Sequence, residues 1–408
     1  MPKLSYLIEQ RDDILIQQAP THTDCLIVGA GMIGASAAIA LAELGLQVTV
    51  IERAQPLAFD SAQPLDLRVS AISLASQSLL NQLQAWPAIE AMRHCVYRRL
   101  GVWEDELSYT EFNANEINQS HLGHIIENRV IQLALWQQMQ QHDNITVLCP
   151  ETLESFQHHT HSVTVQLSKQ VVEARLLIAA DGANSKVRQL AGIGVTGWDY
   201  QQSAMLINVE TELDQQDITW QKFLPTGPLA FLPMPGNNAS LVWYQHKGEI
   251  NRLSRLSNSQ LTAEVNRAFP KRLGLVKVVN KGAFNLTRRH ANQYVKGQVV
   301  LLGDAAHTIN PLAGQGVNLG FKDVLALQNV IAKAIGSGQC YYDSTVLARY
   351  EQQRRNDNLL MMSAMDTLYS VFSHPAKPLK LLRNMGLFVA HRAPLLKAKA
   401  LEYACGLR

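Results

Sequence analysis

Cys25-Leu26-Ile27-Val28-Gly29-Ala30-Gly31-Met32-Ile33-Gly34 is the stretch that decides the fold. Four apolar residues read as a short buried strand, three glycines follow at G-x-G-x-x-G spacing, and an apolar pattern continues as a helix through about Leu44. A second strand, Val48-Thr49-Val50-Ile51, comes next, and Glu52 stands at its end. The glycine spacing alone is a weak signal. With a strand before, a helix after and an acid about twenty residues on, it becomes a dinucleotide site. Gly29 allows the tight turn, Gly31 lets backbone approach a pyrophosphate, and Gly34 lets helix and strand pack closely. Glu52 would accept from a ribose 2′-hydroxyl and would repel a 2′-phosphate. The pocket is therefore suited to an adenosine diphosphate moiety, as in FAD or NAD.

The chain contains its own control. Gly192-Ile193-Gly194-Val195-Thr196-Gly197 has the same spacing, but it follows helix-like Lys186-Val187-Arg188-Gln189-Leu190 and leads into Trp198 and Tyr200. It reads as a turn. One dinucleotide fold is visible, so a nicotinamide donor would have to visit without a Rossmann domain of its own.

A second anchoring stretch lies far along the chain. Val299-Val300-Leu301-Leu302-Gly303-Asp304-Ala305-Ala306-His307 reads as a buried strand ending in an acidic turn, where α/β sheets bind ligands. The chain then turns at Asn310-Pro311, passes Gly314 and Gly316, and enters a helix through Val324, Leu327, Ile331 and Ile335. Backbone N–H groups at a glycine-lined helix start can approach a flat, electron-rich ring. Three candidates stand between the two anchors. Arg68, within Asp66-Leu67-Arg68-Val69-Ser70-Ala71-Ile72-Ser73, either forks onto a pyrophosphate or lies at the surface. Arg129, ahead of a helical pattern through Val130, Leu133, Ala134 and Met139, either reaches the cofactor from the first turn or is solvated. Asp181, in Leu176-Leu177-Ile178-Ala179-Ala180-Asp181-Gly182, either caps a helix or helps close the cofactor site.

At 408 residues the chain is long enough for two domains, and its net charge of +2 does not mark a nucleic-acid partner. Cys25, Cys95, Cys149, Cys340 and Cys405 are scattered without Cys-x-x-Cys spacing, which argues against a disulfide framework or a metal site and for a reducing cytoplasm. No apolar run is long enough to span a membrane. Residues 1–23 read as a leader; Glu9, Arg11, Asp12 and Asp13 stand where a signal peptide needs apolar residues. Residues 24–200 and 286–340 read as two parts of the cofactor domain. Between them, 201–285 carries short β-type runs broken by Pro225, Gly227, Pro228, Pro233, Pro235 and Gly236, an antiparallel sheet over one face of the cofactor. Phe223 and Tyr244 belong to its core or its pocket. Residues 341–408 read as helices. Lys377, Lys380, Arg383, Arg392, Lys397, Lys399 and Arg408 interleave there with apolar residues, as either a membrane-surface segment or a helix face packed on its own domain.

These motifs resemble a family. Gly29 to Gly34 with Glu52, Asp181-Gly182, and Gly303 to His307 with Pro311 and Gly314 to Gly320 are similar to the FAD-dependent aromatic hydroxylases typified by p-hydroxybenzoate hydroxylase. The resemblance runs from Asp24 over nearly the whole chain. Arg68 with Ala71-Ile72-Ser73, Ala191-Gly192-Ile193-Gly194-Val195 and the run from Gly303 to Gly320 look more narrowly like the ubiquinone-biosynthesis hydroxylases. Met205-Leu206-Ile207, Ala230-Phe231-Leu232-Pro233, Ser240-Leu241-Val242-Trp243-Tyr244 and Phe284 to His290 look like the branch acting on a demethoxyubiquinol.

The resemblance implies an α/β fold: a Rossmann-type FAD-binding domain, an inserted antiparallel β-sheet substrate domain and C-terminal helices. It implies FAD as cofactor, NAD(P)H as transient reductant and O2 as co-substrate, hydroxylating a lipophilic prenylated quinol through a flavin C4a-hydroperoxide. It places the protein in the cytoplasm, with contact to the inner face of the membrane, other quinone-biosynthesis proteins and a homo-oligomeric state as open expectations. Gly29, Gly31, Ile33, Gly34, Glu52 and Arg53 would then hold the ADP half. Gly303 and Asp304 would hold the ribityl or pyrophosphate region, and Asp181, Gly182 and Arg68 would complete the pyrophosphate and nicotinamide-access side. Gly314, Gly316, Val317 and Asn318 would lie along the isoalloxazine, with Pro311 over the reactive C4a region. No residue stands out as a general base, and His307 reads as structural. Hydroxylation of another ring position, hydride transfer without oxygen insertion, and a structural FAD-bearing subunit of a quinone-synthesis complex are the competing readings.

Overall fold

The structure is a computed structural model describing residues 20–310, 316–373, 383 and 394–407. Among these, a sheet of mainly parallel strands runs in the order Val295–Lys296, Val299–Leu301, Val171–Ala179, Thr21–Val28, Val48–Ile51, Ile145–Leu148, with Leu153–His158 and Val163–Leu167 as an antiparallel extension. Cys25, Leu26 and Ile27 have no exposed surface, as expected for a strand covered on both faces. The opening strand already begins at Thr21, inside the segment read as a leader, and pairs there with Val172. Helix Met32–Ala42 follows it; its small buried residues, Ala35, Ser36, Ala37 and Ala38, let it lie close to the sheet.

A second sheet, almost wholly antiparallel, runs His307–Thr308, Val276–Ala291, Val195–Thr211, Asn238–His246, Leu229–Pro233, Ile218–Lys222, Arg99–Trp103, Thr110–Asn113. Residues 201–285 supply its centre, but both long strands overrun those limits. The second glycine motif turns at Gly192, with φ of +62°, and becomes strand from Val195. Arg99–Trp103 joins by parallel pairing with Ile218–Lys222, a contact between distant segments that leaves no local pattern. Val69–Ser73, Gly123–Glu127 and Cys95–Tyr97 form a third, three-stranded sheet.

Helices Gly316–Gly336, Ser344–Ser373 and Pro394–Ala404 complete the fold. Two of the C-terminal bases are buried in ion pairs. Arg383 forks onto Glu104 at 2.5 and 3.0 Å, and Lys397 donates to Glu116 at 2.7 Å. Those two belong to a face packed on its own domain. Lys399 is exposed, and Lys377, Lys380, Arg392 and Arg408 lie outside the described residues.

A buried polar knot holds the second anchor. Asp323, on the inner face of helix Gly316–Gly336 and fully buried, accepts from the Gly303 backbone N–H at 3.0 Å, Arg354 Nε at 2.8 Å and Asn358 Nδ2 at 3.1 Å. His307 Nε2 lies 2.6 Å from it. Burial works to raise the Asp323 carboxyl, but His307 and Arg354 overturn that and hold it below the usual carboxylate range. Arg354 Nη2 also donates to Asn358 Oδ1, and Asn358 to Tyr294, so the knot joins two helices to the turn at Gly303.

Removing one partner of such a pair leaves an uncompensated buried charge. Asp323→Ala is expected to lose about 3–5 kcal/mol of stability, read as a lower urea midpoint. Gln352→Ala on an exposed face should stay within about 0.5 kcal/mol of wild type; equal midpoints for all three proteins would refute the knot's role. A second expectation concerns pH. Desolvation, then Arg355, His307 and Arg288, press His290 from 6.5 down to about 4. Between those values the unfolded chain binds a proton that the folded chain does not, so stability should fall as pH is lowered from 6.5 to about 4. His290→Gln should flatten that slope, and a slope unchanged by the substitution would assign it to other groups.

Candidate active site

Four strand ends stand side by side. Val28 is in register with Ile51 on one side and Ala179 on the other, and Ala179 with Leu301. The chain leaves this row through Gly29, Glu52, Ala180-Asp181 and Leu302-Gly303, which is how motifs separated by most of the sequence reach one edge of the sheet. With neighbouring strands about 4.8 Å apart, the row is about as long as the nucleotide end of a dinucleotide.

The glycine loop is shaped by close approach. Gly29 has φ of +99°, and a Cβ there would lie 2.6 Å from the Ala180 carbonyl oxygen. A Cβ on Gly34 would lie 1.8 Å from the Gly29 carbonyl oxygen, so only glycine lets helix and strand meet. Gly31 differs: it precedes the helix without a side-chain cap, and a Cβ there would face open space. Its turn therefore aims unpaired N–H groups outward, the arrangement that favours an anion. Ala30 is held from two sides, its N–H by Glu52 Oε2 at 2.8 Å and its carbonyl by Gln132 and Trp136 at 2.9 and 2.7 Å. Glu52 Oε1 takes the Arg53 N–H at 2.9 Å, and the Arg53 side chain is exposed.

The two anchors touch. A Cβ on Gly303, whose φ is +56°, would lie 3.2 Å from Ile33, and one on Gly320 would lie 2.7 Å from Ile33 Cδ1. Ile33 of the first motif thus packs on two glycines of the second. Arg188, buried, ties the middle motif to the last, donating to the Ala183 and Ala305 carbonyls at 2.8 and 2.7 Å.

Asp181 serves two ends. Its Oδ2 accepts from the Lys186 and Val187 N–H groups at 2.7 and 3.2 Å, capping the short helix, while Oδ1 is buried without a donor. Gly182 turns there with φ of +82°. Asp304 keeps exposed surface at this edge of the sheet; desolvation by the protein around it pushes its carboxyl above the ordinary value, against the pull of His307 and Arg68. These features fit FAD: uncapped N–H groups for its pyrophosphate, and carboxylate oxygens without protein donors for sugar hydroxyls.

Asn318 has its side chain engaged within the protein, accepting from the Ser73 N–H and Ser76 hydroxyl and donating to the Ala71 carbonyl, so it offers a ring only its backbone. Gly316 and Val317 begin the same helix. Arg129 forks onto Asp66 with both bonds at 2.8 Å. Arg68 is exposed and close enough to Asp304 to act on it electrostatically. Pro311 and Gly314 lie outside the described residues.

A cavity of about 380 Å3 opens beyond Arg68, between the antiparallel sheet, the small third sheet and the C-terminal helix. Along the sheet Leu206, Val242, Ala230 and Gln221 stand in one register row, giving an apolar floor with one amide. Tyr244 and Phe284 line the same cavity. Phe223 does not; it stacks on Phe372 with centroids 4.1 Å apart. Tyr244 reaches Asn310, the residue before Pro311, at 3.4 Å, and burial drives its hydroxyl far above the ordinary range, so it stays neutral.

Sequence reading missed the knot of Asp323, Arg354 and Asn358. One signal was there: Asp323 sits beside Val324 and Leu327 on an apolar helix face, where a carboxylate needs a countercharge. Gln221 and the cavity residues of the C-terminal helix carried no such signal.

Comparison with known proteins identifies the family. The FAD binding domain family matches residues 22–362. The chain is 49% identical over 386 residues to the 3-demethoxyubiquinol 3-hydroxylase of Escherichia coli (strain K12), covering 94% of this chain and 99% of that protein. It is 36% identical over 385 residues to the ubiquinone hydroxylase UbiL of Rhodospirillum rubrum, covering 94% and 89%. Among solved structures, p-nitrophenol 4-monooxygenase PnpA from Pseudomonas putida superposes with a TM-score of 0.78 at 17% identity, covering 94% of this chain and 97% of that one, a likeness of fold. The glycine loop, the converging acid turns and these relatives together show that the chain belongs to the FAD-dependent monooxygenases of ubiquinone biosynthesis.

Proposed function

We propose that this monooxygenase hydroxylates the ring of a prenylated demethoxyubiquinol at the carbon that later carries a methoxy group. The observation that supports this most is the extent of its likeness to the 3-demethoxyubiquinol 3-hydroxylase, which spans essentially that whole protein. The cavity is consistent with such a substrate: apolar along Leu206, Val242, Leu232 and Phe284, with Gln221, Asn128 and Arg68 as polar points for ring oxygens. Hydroxylation of another ring position in the same pathway is the runner-up.

FAD, when bound, supplies the reduction of O2 and the transfer of one oxygen atom, with NAD(P)H as reductant. The protein's share is binding, orientation and dryness. The Gly29–Gly34 turn would hold the pyrophosphate, and Glu52 and Asp304 would accept from sugar hydroxyls. Gly316 and Val317, at the start of their helix, would border the ring system. The apolar sheet face keeps water from the reacting edge, which matters because water diverts the oxidant to peroxide. Tyr244, neutral and aimed at Asn310, can donate a hydrogen bond but is too weak an acid to take part as a phenolate at physiological pH. No general base is assigned; a quinol ring is electron-rich enough to react without one. Among the described residues no helix is long and apolar enough to cross a membrane, so a lipophilic substrate would be collected at a surface.

Two measurements test this reading. Asp304→Ala should purify with little or no flavin absorbance, its FAD content down by about tenfold or more, as expected when a charged hydrogen bond to the cofactor is lost; stoichiometric FAD in that variant would overturn the Asp304 assignment. With demethoxyubiquinol, NAD(P)H and 18O2, the product should carry label in one new ring hydroxyl. Label arriving from water, or NAD(P)H oxidation without any ring hydroxylation, would sink the monooxygenase assignment to this substrate.

A further inference from the structure

The cavity meets solvent at residues of opposite chemistry. Of its described lining residues only Arg68 and Ala404 are exposed; the rest are buried or half-buried. Arg68 sets a guanidinium on the lining where it meets solvent, a poor path for hydrocarbon. Ala404 stands on helix Pro394–Ala404, which contributes Leu401 and, just past its end, Cys405 to the wall.

At about 100° per residue, Leu401 and Ala398 face inward. Both pack with Leu100, Leu122 and Tyr97. Ala404 sits at the edge of that face, and Ala400 and Tyr403 continue the arc outward. All three are exposed, Tyr403 at 45% and Leu407, just beyond the helix, at 44%. An apolar strip therefore runs from the cavity wall at Leu401, past Ala404, onto the outer surface at Ala400 and Tyr403. The helix that carries it is fastened: Lys397 pairs with Glu116 and lies over the Phe112 ring, and the Cys405 carbonyl accepts from the Ala75 N–H at 3.2 Å.

A volume of about 380 Å3 is near the lower end of small-molecule pockets, roughly 300–1,000 Å3. It accommodates a substituted ring and the start of a chain, and a tail of several isoprene units has to leave it. We propose that the substrate's prenyl tail exits past Ala404 and lies along the Ala400, Tyr403 and Leu407 strip, so that the C-terminal helix reads the tail while the sheet reads the ring. This rests on the prenylated-quinol reading above and goes beyond it by assigning tail recognition to a particular helix. An exposed apolar strip in water is unfavourable on its own, and a hydrocarbon chain is the occupant that the substrate brings.

The test uses Ala404→Trp, which adds bulk at the exit, and Ala404→Ser, which does not. Binding to the purified FAD-containing enzyme is measured by equilibrium partition from detergent micelles for two quinones with the same methoxy-methyl ring, one bearing a single isoprene unit and one bearing several. Wild type and Ala404→Ser should prefer the long-tailed compound. Ala404→Trp should weaken that compound by about tenfold or more, the scale of losing a few buried methylenes, while leaving the short one within about twofold and the FAD content unchanged. Equal weakening of both compounds, or no weakening of either, would overturn the exit. Ring hydroxylation of the short compound by wild type, supplied as its quinol, reports on the proposed reaction separately, since it should occur whether or not the exit is placed correctly. Wild type binding neither compound would overturn the exit and the substrate reading together.

Discussion

One buried carboxylate organises the reactive end of this molecule. Asp323 lies inside a helix face that is otherwise apolar, and an isolated charge there would be prohibitive. It is tolerated because Arg354 and His307 lie against it and two N–H donors complete its shell. The consequence is geometric. The Gly303 N–H can bond to Asp323 only if the turn sits squarely on the helix, and that turn carries Asp304. A surface loop would not hold an acid so firmly at the edge of a sheet.

The absence of side chains supplies the second constraint. Ile33, from the first strand–turn–helix, fills the space left by Gly303 and Gly320 of the last one. Each glycine is needed for a different reason, Gly303 for its positive φ and Gly320 for its closeness. Together they let two segments that are remote in sequence form one wall of a cleft. The glycines of the first motif divide labour in the same way: Gly29 and Gly34 are closed in by backbone, and Gly31 is left open where an anion would lie.

Over this scaffold the antiparallel sheet lays an apolar floor. Its register puts Leu206, Val242, Ala230 and Gln221 in one row, so a single amide marks an otherwise greasy surface. The C-terminal helix completes the opposite wall and brings with it a buried base, Lys397, paired with Glu116. A desolvated base paired with an acid contributes little net stability, but it fixes where the helix sits, and that position sets the outline of the cavity.

The local pattern of residues carried the nucleotide end. The Gly29 to Gly34 spacing between a strand and a helix, with Glu52 closing the next strand, has a physical meaning within about thirty residues, and so was legible without coordinates. The acid turns at Asp181 and Asp304 were legible for the same reason, each being a strand end followed by a glycine or small residue. The rest depended on contacts between distant segments. Arg99–Trp103 became part of the substrate sheet through pairing with a strand more than a hundred residues later, and Arg129 was drawn to Asp66 just before the neighbouring strand. Two of the basic residues near the C-terminus looked available to an anionic surface until tertiary packing supplied Glu104 and Glu116 as partners. Charge and periodicity determine what a segment is able to do; which partner it meets, and so which of those things it does, is decided only when the chain closes on itself and the burial of each group forces a choice.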